Sequence, residues 1–210
     1  MYIPSAFKES SLPRLQAFVQ DHPFAALVTC PSERSGAGPF ASHVPLLLNA
    51  DRGAQGVLRG HVARANPQWR HFAPAREVLA IFHGPHAAVS SAWYEEPAAA
   101  VPTWNYAAVH VYGRVRLIAD TEEALVLLRD MTARFQPEGG HVPLQPPAAR
   151  TQQLLSAIVA FEIDITRWEG KFKLGQNRSA ADRRRIREAL RERGGHDDLA
   201  LAEMMQTLDN

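Results

Sequence analysis

From Trp104 to Ile118 the chain sets a small or apolar residue at every second position, with Val109, Val111, Gly113, Val115 and Leu117 on one face. A side-chain period of two belongs to a strand that presses one face on a core and turns the other to solvent. The run is long enough for one bent or bulged strand. Shorter β-type runs precede it at Phe24–Cys30, Phe40–Leu48, Val57–Val62, Val78–Phe82 and Ala87–Tyr94. Turn-forming segments, Pro31–Pro39 and Asp51–Gly56 among them, separate these runs, and the first two form a hairpin. Strands so closely spaced leave no room for alternating βαβ units and predict an antiparallel barrel or sandwich.

Helical periodicity appears around this sheet. Leu12, Leu15, Phe18 and Val19 share a face behind Ser10 or Ser11, and His22-Pro23 stops that helix. Pro67–Phe72 reads as a short helical turn. Asp120 or Thr121 caps a helix over Glu122–Phe135 with Leu125, Leu128, Met131 and Phe135 in register. A Pro/Gly loop, Pro137–Pro147, leads to a helix over Ala148–Val159 and a last strand over Ala160–Trp168. Ser179–Gly194 is a highly charged helix, and Asp197–Leu208 a shorter one. The fold class is mainly β with flanking helices, an α+β chain. Residues 1–178, with inserted helices at 121–159, are expected to form one domain and 179–210 a helical tail.

A chain of 210 residues with 46% hydrophobic and 21% charged residues is ordinary for a soluble globular protein. A net charge of +1 supplies no global field for nucleic acid or membrane. Cys30 is the single cysteine, so no internal disulfide forms; at the end of an apolar run it is expected to be buried and inert. The N-terminus has no basic start followed by an apolar stretch, and no run approaches the roughly 20 apolar residues of a membrane span. The expectation is a cytoplasmic protein that does not enter a membrane.

Chemistry concentrates between Ile81 and Gly113, where Trp93, Tyr94, Trp104, Tyr106, His83, His86 and His110 crowd together. Flat rings beside short hydrogen-bonding groups suit a planar heteroaromatic ligand; they equally suit a core or a dimer interface. Gly60–Pro67 places His61, Arg64 and Asn66 at a strand end, where a guanidinium fork, an amide and turn N–H groups suit a phosphate; a surface turn is the plainer alternative. Lys171–Arg178 gathers cations and amides that suit a phosphate, a carbonyl-rich ring edge or nucleic acid, or serve as a basic linker.

Other chemistries find less support. Ser42 and His43 fall on opposite strand faces with no acid beside them, which excludes a Ser-His-acid hydrolase. His83 and His86 flank Gly84-Pro85, which removes the shared helical face an i, i+3 pair needs, so no metal or axial haem ligand is expected. No G-x-G-x-x-G or phosphate-binding P-loop appears. Asp182, Glu188 and Glu192 offset the arginines of the tail helix and favour a solvated face over a DNA-tracking one.

Seven segments taken together resemble the PaiB-type FMN-binding negative transcriptional regulators, a branch of the split-barrel flavin-binding proteins. They are M-Y-I-P-S-A-F, D-H-P-F-A-A-L-V-T, S-H-V-P-L-L-L, G-H-V-A-R-A-N-P-Q-W, V-L-A-I-F-H-G-P-H, V-P-T-W-N-Y-A-A-V-H-V-Y-G and I-T-R-W-E-G-K-F-K-L-G-Q-N-R. The resemblance implies an antiparallel split β-barrel that dimerises with itself and holds FMN at the subunit interface. It implies that Arg64 and Asn66, with the Ala63 and Ala65 backbone, approach the FMN phosphate beside His61. Ser42, His43 and Val44 then run along the isoalloxazine. Trp104, Asn105, Lys173, Gln176, Asn177 and Arg178 come from the partner subunit. DNA is a possible partner through the regulator analogy; a flavin-dependent oxidoreductase, or a barrel for haem or another small molecule, is the alternative. Two places depart from the family: Ala87–Trp93, which lacks its usual aromatic and proline, and Gly175, where serine is usual.

Overall fold

The sheet begins with a strand that ends on a proline. The computed structural model describes residues 1–31, 38–73, 76–136 and 148–207; the loops expected at Pro31–Pro39 and Pro137–Pro147 and the end of the last helix at Leu208 lie largely outside them. Among the described residues the strands are β1 Lys8–Glu9, β2 Phe24–Thr29, β3 Phe40–Pro45, β4 Leu47–Asn49, β5 Val57–Ala63, β6 Glu77–Val89, β7 Thr103–Leu117 and β8 Ile158–Lys173. The helices are α1 Leu12–Asp21, α2 Thr121–Phe135, α3 Ala148–Ser156, α4 Ala180–Arg193 and α5 His196–Gln206. The sheet runs β3-β2-β6-β7-β8-β5-β4, with β1 paired to β8. The pairs β1–β8, β2–β3, β2–β6, β4–β5 and β5–β8 are antiparallel.

Several boundaries differ from expectation. The run Phe40–Leu48 divides after Pro45 because proline donates nothing to a ladder. Beyond it the Leu46 N–H turns to the Pro23 carbonyl at 2.9 Å, and β4 changes partner to β5. The runs Val78–Phe82 and Ala87–Tyr94 are not two strands: β6 continues to Val89, and Ser91–Trp93 is a 3₁₀ turn capped by Ser90. The α3 helix stops at Ser156, and β8 extends to Lys173. Cys30 is exposed, not buried, because β2 ends at Thr29 and its inward positions are Ala25, Leu27 and Thr29.

The chain packs as two compact units, one of Met1–Phe18, His83–His110 and Glu169–Asn210, the other of Val19–Phe82 and Val111–Trp168. In the first unit, Lys8 and Glu9 pair with Lys171 and Gly170, and the Phe18 and Phe172 rings lie 5.2 Å apart. The Ser179 side chain caps α4 at the Asp182 N–H, and Gly194 at φ 72° closes it in the left-handed region that glycine adopts without strain. Although α4 is highly charged, its Ile186 and Leu190 are fully buried, as are Leu201, Ala202 and Met205 of α5. Arg193 grips both carboxylate oxygens of Asp198, joining the two helices.

In the second unit Asp120 caps α2 at the Glu123 N–H. Ala124, Leu127 and Met131 pack with Ile118 and Ala160, each inside the apolar cluster that seats this helix. Close by lies an ionic network. Glu162, with its side chain 3% exposed, accepts from Arg52 at 2.5 and 3.1 Å and from Arg116 at 2.6 Å. Gly113 sits where an added Cβ would meet the Asp164 carbonyl oxygen and Ile163 Cγ2, each at 2.5 Å. Those contacts are part backbone and have no room to yield. Gly113→Ala is therefore expected to destabilise the protein by about 1–3 kcal/mol, read as a lower denaturant midpoint; an unchanged midpoint would mean β7 and β8 can separate freely.

Candidate functional site

The turn after β5 is built by Asn66 and Pro67. The Asn66 Oδ1 accepts from the Gln68 N–H at 2.9 Å, and Pro67 begins the 3₁₀ turn Pro67–His71. This is N-capping with proline at the first position, which needs no donor there. The Asn66 Nδ2 donates to Ser42 Oγ on β3 at 2.8 Å, so two residues far apart in sequence are held together. Arg64 is anchored through its backbone: its N–H reaches the Ala157 carbonyl at 2.8 Å, and its carbonyl accepts from Trp69 Nε1 at 3.1 Å. Its guanidinium lies 5.8 Å from the centre of the Trp69 ring. Among the described residues no carboxylate pairs with it.

Beneath this turn lies a buried polar network. Gln68 is fully buried and donates through Nε2 to the Leu27 carbonyl at 2.7 Å, with Thr29 Oγ1 and the Phe40 carbonyl each at 3.3 Å. Thr29 Oγ1 also meets His71 Nδ1 at 3.0 Å. These contacts hold the turn against β2 and β3. His61 lies on β5, two residues before that strand ends at Ala63, and its buried Nδ1 has no hydrogen-bond partner among the described residues. Burial pushes its imidazole below the usual range, which keeps the ring neutral near pH 7. On β3, Val44 is buried while His43 is exposed and stacks on Phe24 at 6.0 Å. Ala63 and Ala65 are exposed beside Arg64.

The other expected residues belong to the first unit. Trp104 is 56% exposed and stacks on the His86 ring at 6.2 Å. Asn105 is 2% exposed, and its Nδ2 turns to the Met205 sulfur at 3.7 Å. Lys173 donates to Thr103 Oγ1 at 2.5 Å and the Trp104 carbonyl at 2.8 Å. Burial, and then its neighbours Lys171 and Arg178, push its ammonium below the ordinary lysine range. Gln176 folds back on its own segment, accepting from the Leu174 N–H and donating to the Phe172 carbonyl. Asn177 is exposed, and Arg178 lies 4.8 Å from the Tyr94 ring centre.

Both family departures have local counterparts. Gly175 has φ +82°, so a side chain there would be strained, whereas glycine is not. Ala88, Val89 and Ser90 line a hollow of about 340 Å³ with Pro102, Thr103 and Trp104.

Thus Ser42, Arg64 and Asn66 converge in the second unit, while Trp104 and Lys173 meet in the first. Trp69, Gln68 and Thr103 support these residues without having been singled out from the sequence. For Trp69 and Gln68 a signal existed, since Asn-Pro opens a capped turn that must pack on something. The chemistry of the second-unit set fits a phosphorylated group: a capped turn, beside a guanidinium with no carboxylate and a buried imidazole nitrogen with no partner among the described residues.

Comparison with known proteins gives the same direction. A family model described as "Putative FMN-binding domain" matches residues 1–167. Protease synthase and sporulation protein PAI 2 of Bacillus subtilis (strain 168) is 33% identical over 213 residues, 98% of this chain and 97% of that protein. Among solved structures, the flavocytochrome Anf3 from Azotobacter vinelandii superposes with a TM-score of 0.62 at 17% identity, over 79% of this chain and 69% of that one. The FAD and heme binding protein from Mycobacterium smegmatis gives 0.62 at 18% identity, over 90% and 80%. The fold is the antiparallel split β-barrel with flanking helices expected from the sequence.

Proposed function

Because the chain belongs to the FMN-binding domain family, with FMN as its cofactor, we propose that the turn Ala63–Asn66 holds the FMN phosphate. Arg64 supplies the charge, Asn66 fixes the turn to Ser42, and the Ala63 and Ala65 backbone and His61 complete the surroundings. Ser42, His43 and Val44 run beside the ring system. A second copy of the chain closes the site with Trp104, Asn105, Lys173, Gln176, Asn177 and Arg178. The observation that carries this reading is the Arg64 guanidinium, which stacks on Trp69 and pairs with no carboxylate among the described residues. FMN, when bound, supplies one- and two-electron transfer; the protein's part is to bind and orient it.

In this reading residues 1–178 are the flavin-binding domain and 179–210 its helical tail. The protein works in the cytoplasm as a homodimeric negative transcriptional regulator. Its similarity to PAI 2 over nearly the whole of both chains supports that role. No helix among the described residues is long and apolar enough to cross a membrane.

Purification tests the reading directly. Mass spectrometry of the released ligand is expected to give FMN, and light scattering a dimer. Salt-sensitive, sequence-selective retention of promoter DNA supports the regulator. Steady oxidation of a nicotinamide dinucleotide without DNA retention would replace it with a flavin oxidoreductase. A haem absorption band, or a strict monomer, would contradict the proposed assembly.

A further inference from the structure

A hollow of about 500 Å³ in the second unit opens between the end of β7, the first turn of α2, the last turn of α3 and the start of β8. Ile118, Leu155 and Ile158 form part of its apolar wall, and Arg64, Asp120 and Ser156 part of its rim. Its volume falls within the roughly 300–1,000 Å³ of pockets that enclose small molecules. The Asp120 carboxylate is engaged in capping α2, accepting from the Glu123 N–H at 2.8 Å. Arg64, by contrast, has no carboxylate among the described residues. Asp120, Glu122 and Glu123 stand at the positive end of α2 and offset its pull on an anion, so recognition of a negative charge falls to Arg64.

A cleft with an apolar wall and a polar rim, where Arg64 pairs with no carboxylate among the described residues and Asp120 stands beside it, suits a single negative charge on a hydrophobic body better than a dianion. We infer that this cleft binds a small apolar monoanion, an aliphatic or aromatic carboxylate, whose anionic group meets Arg64. The consequence rests on the reading of Arg64 as the phosphate-holding residue. Acid and FMN then draw on one guanidinium, so each weakens the other's binding by the same factor. A hydrophobic acid would release flavin, and flavin would exclude the acid. A regulator equipped this way answers to metabolic acids through its cofactor occupancy.

Decanoate is the probe, titrated by calorimetry into flavin-free and FMN-saturated full-length protein. Decanoate is expected to bind the flavin-free protein and to bind the FMN-loaded protein about tenfold more weakly or worse. Ser156→Trp, which places an indole over the rim, is expected to weaken decanoate by about tenfold while leaving FMN affinity within about twofold. Gln152→Trp, on the same helix and also in the lining, serves as a second filling variant, with thermal melts confirming that each is folded.

No binding to the flavin-free protein, or full decanoate affinity in both folded filling variants, would overturn the proposal. So would equal loss of FMN and decanoate in Ser156→Trp, which would make the cleft the flavin's own recess. Decanoate affinity unchanged in Arg64→Ala would overturn the monoanion class. Loss of decanoate but not FMN in Arg64→Ala would uphold the cleft and remove Arg64 from the flavin site, so the two readings fail separately.

Discussion

Arg64→Ala is expected to weaken FMN binding by about 1.5–3 kcal/mol, the scale of a hydrogen bond to a charged group, or roughly 10- to 150-fold in dissociation constant. The side chain is exposed and lies over Trp69, and its backbone holds the turn through Ala157 and Trp69. Truncation therefore removes the cation while the backbone contacts that shape the turn remain, and the melting temperature should hardly move. Arg64→Lys keeps the charge but loses the planar fork, so its loss should be intermediate. Fluorescence titration of flavin-free protein reads all of these values. Unchanged FMN affinity in the alanine variant would remove the phosphate from this turn.

Simultaneous replacement of Arg52 and Arg116 by alanine is expected to cost about 3–5 kcal/mol of folding stability. The size follows from which partner is left behind. Glu162 is 3% exposed, whereas Arg52 and Arg116 are 47% and 48% exposed. Removing the arginines strands a buried carboxylate, while Glu162→Gln leaves half-solvated cations and should cost less. Burial pushes the Glu162 carboxyl upward, but the hydrogen bonds from Arg52 and Arg116 outweigh it and hold the carboxyl below its usual range. A depressed folded value gives stability that is present above the unfolded value and is lost as pH falls through the folded one. In the double variant burial acts alone and the sign reverses, so protonation should recover stability as pH is lowered from 7 towards 5. Denaturant melts across that range check both effects; parallel pH profiles for the two proteins would show that Glu162 does not depend on these arginines.

Much of this fold was legible because alternation is a strong local signal. On β7, Val109, Val111 and Val115 are buried as their spacing requires. β6 reads in the sequence as two strands for an identifiable reason. Its buried positions run 78, 80 and 82, then 85, 87 and 89, a one-residue slip across His83-Gly84 of the kind a bulge produces. The tail helix α4 looked like a solvated element because its net charge masks Ile186 and Leu190, two fully buried residues one turn apart. At the site, the capped turn at Asn66 could be read from Asn-Pro alone. Its tie to Ser42, and the Thr103 hydroxyl that receives Lys173, join residues separated by long stretches of chain, and no local pattern announces them.

The phosphate assignment is tested most directly by titrating FMN and riboflavin into flavin-free wild-type protein and Arg64→Ala. The two ligands differ only in the phosphate. Wild-type protein is expected to prefer FMN strongly, and the variant to lose most of that preference while its riboflavin affinity stays near the wild-type value. An equal FMN preference in both proteins would contradict the assignment and place the phosphate away from the Arg64 turn.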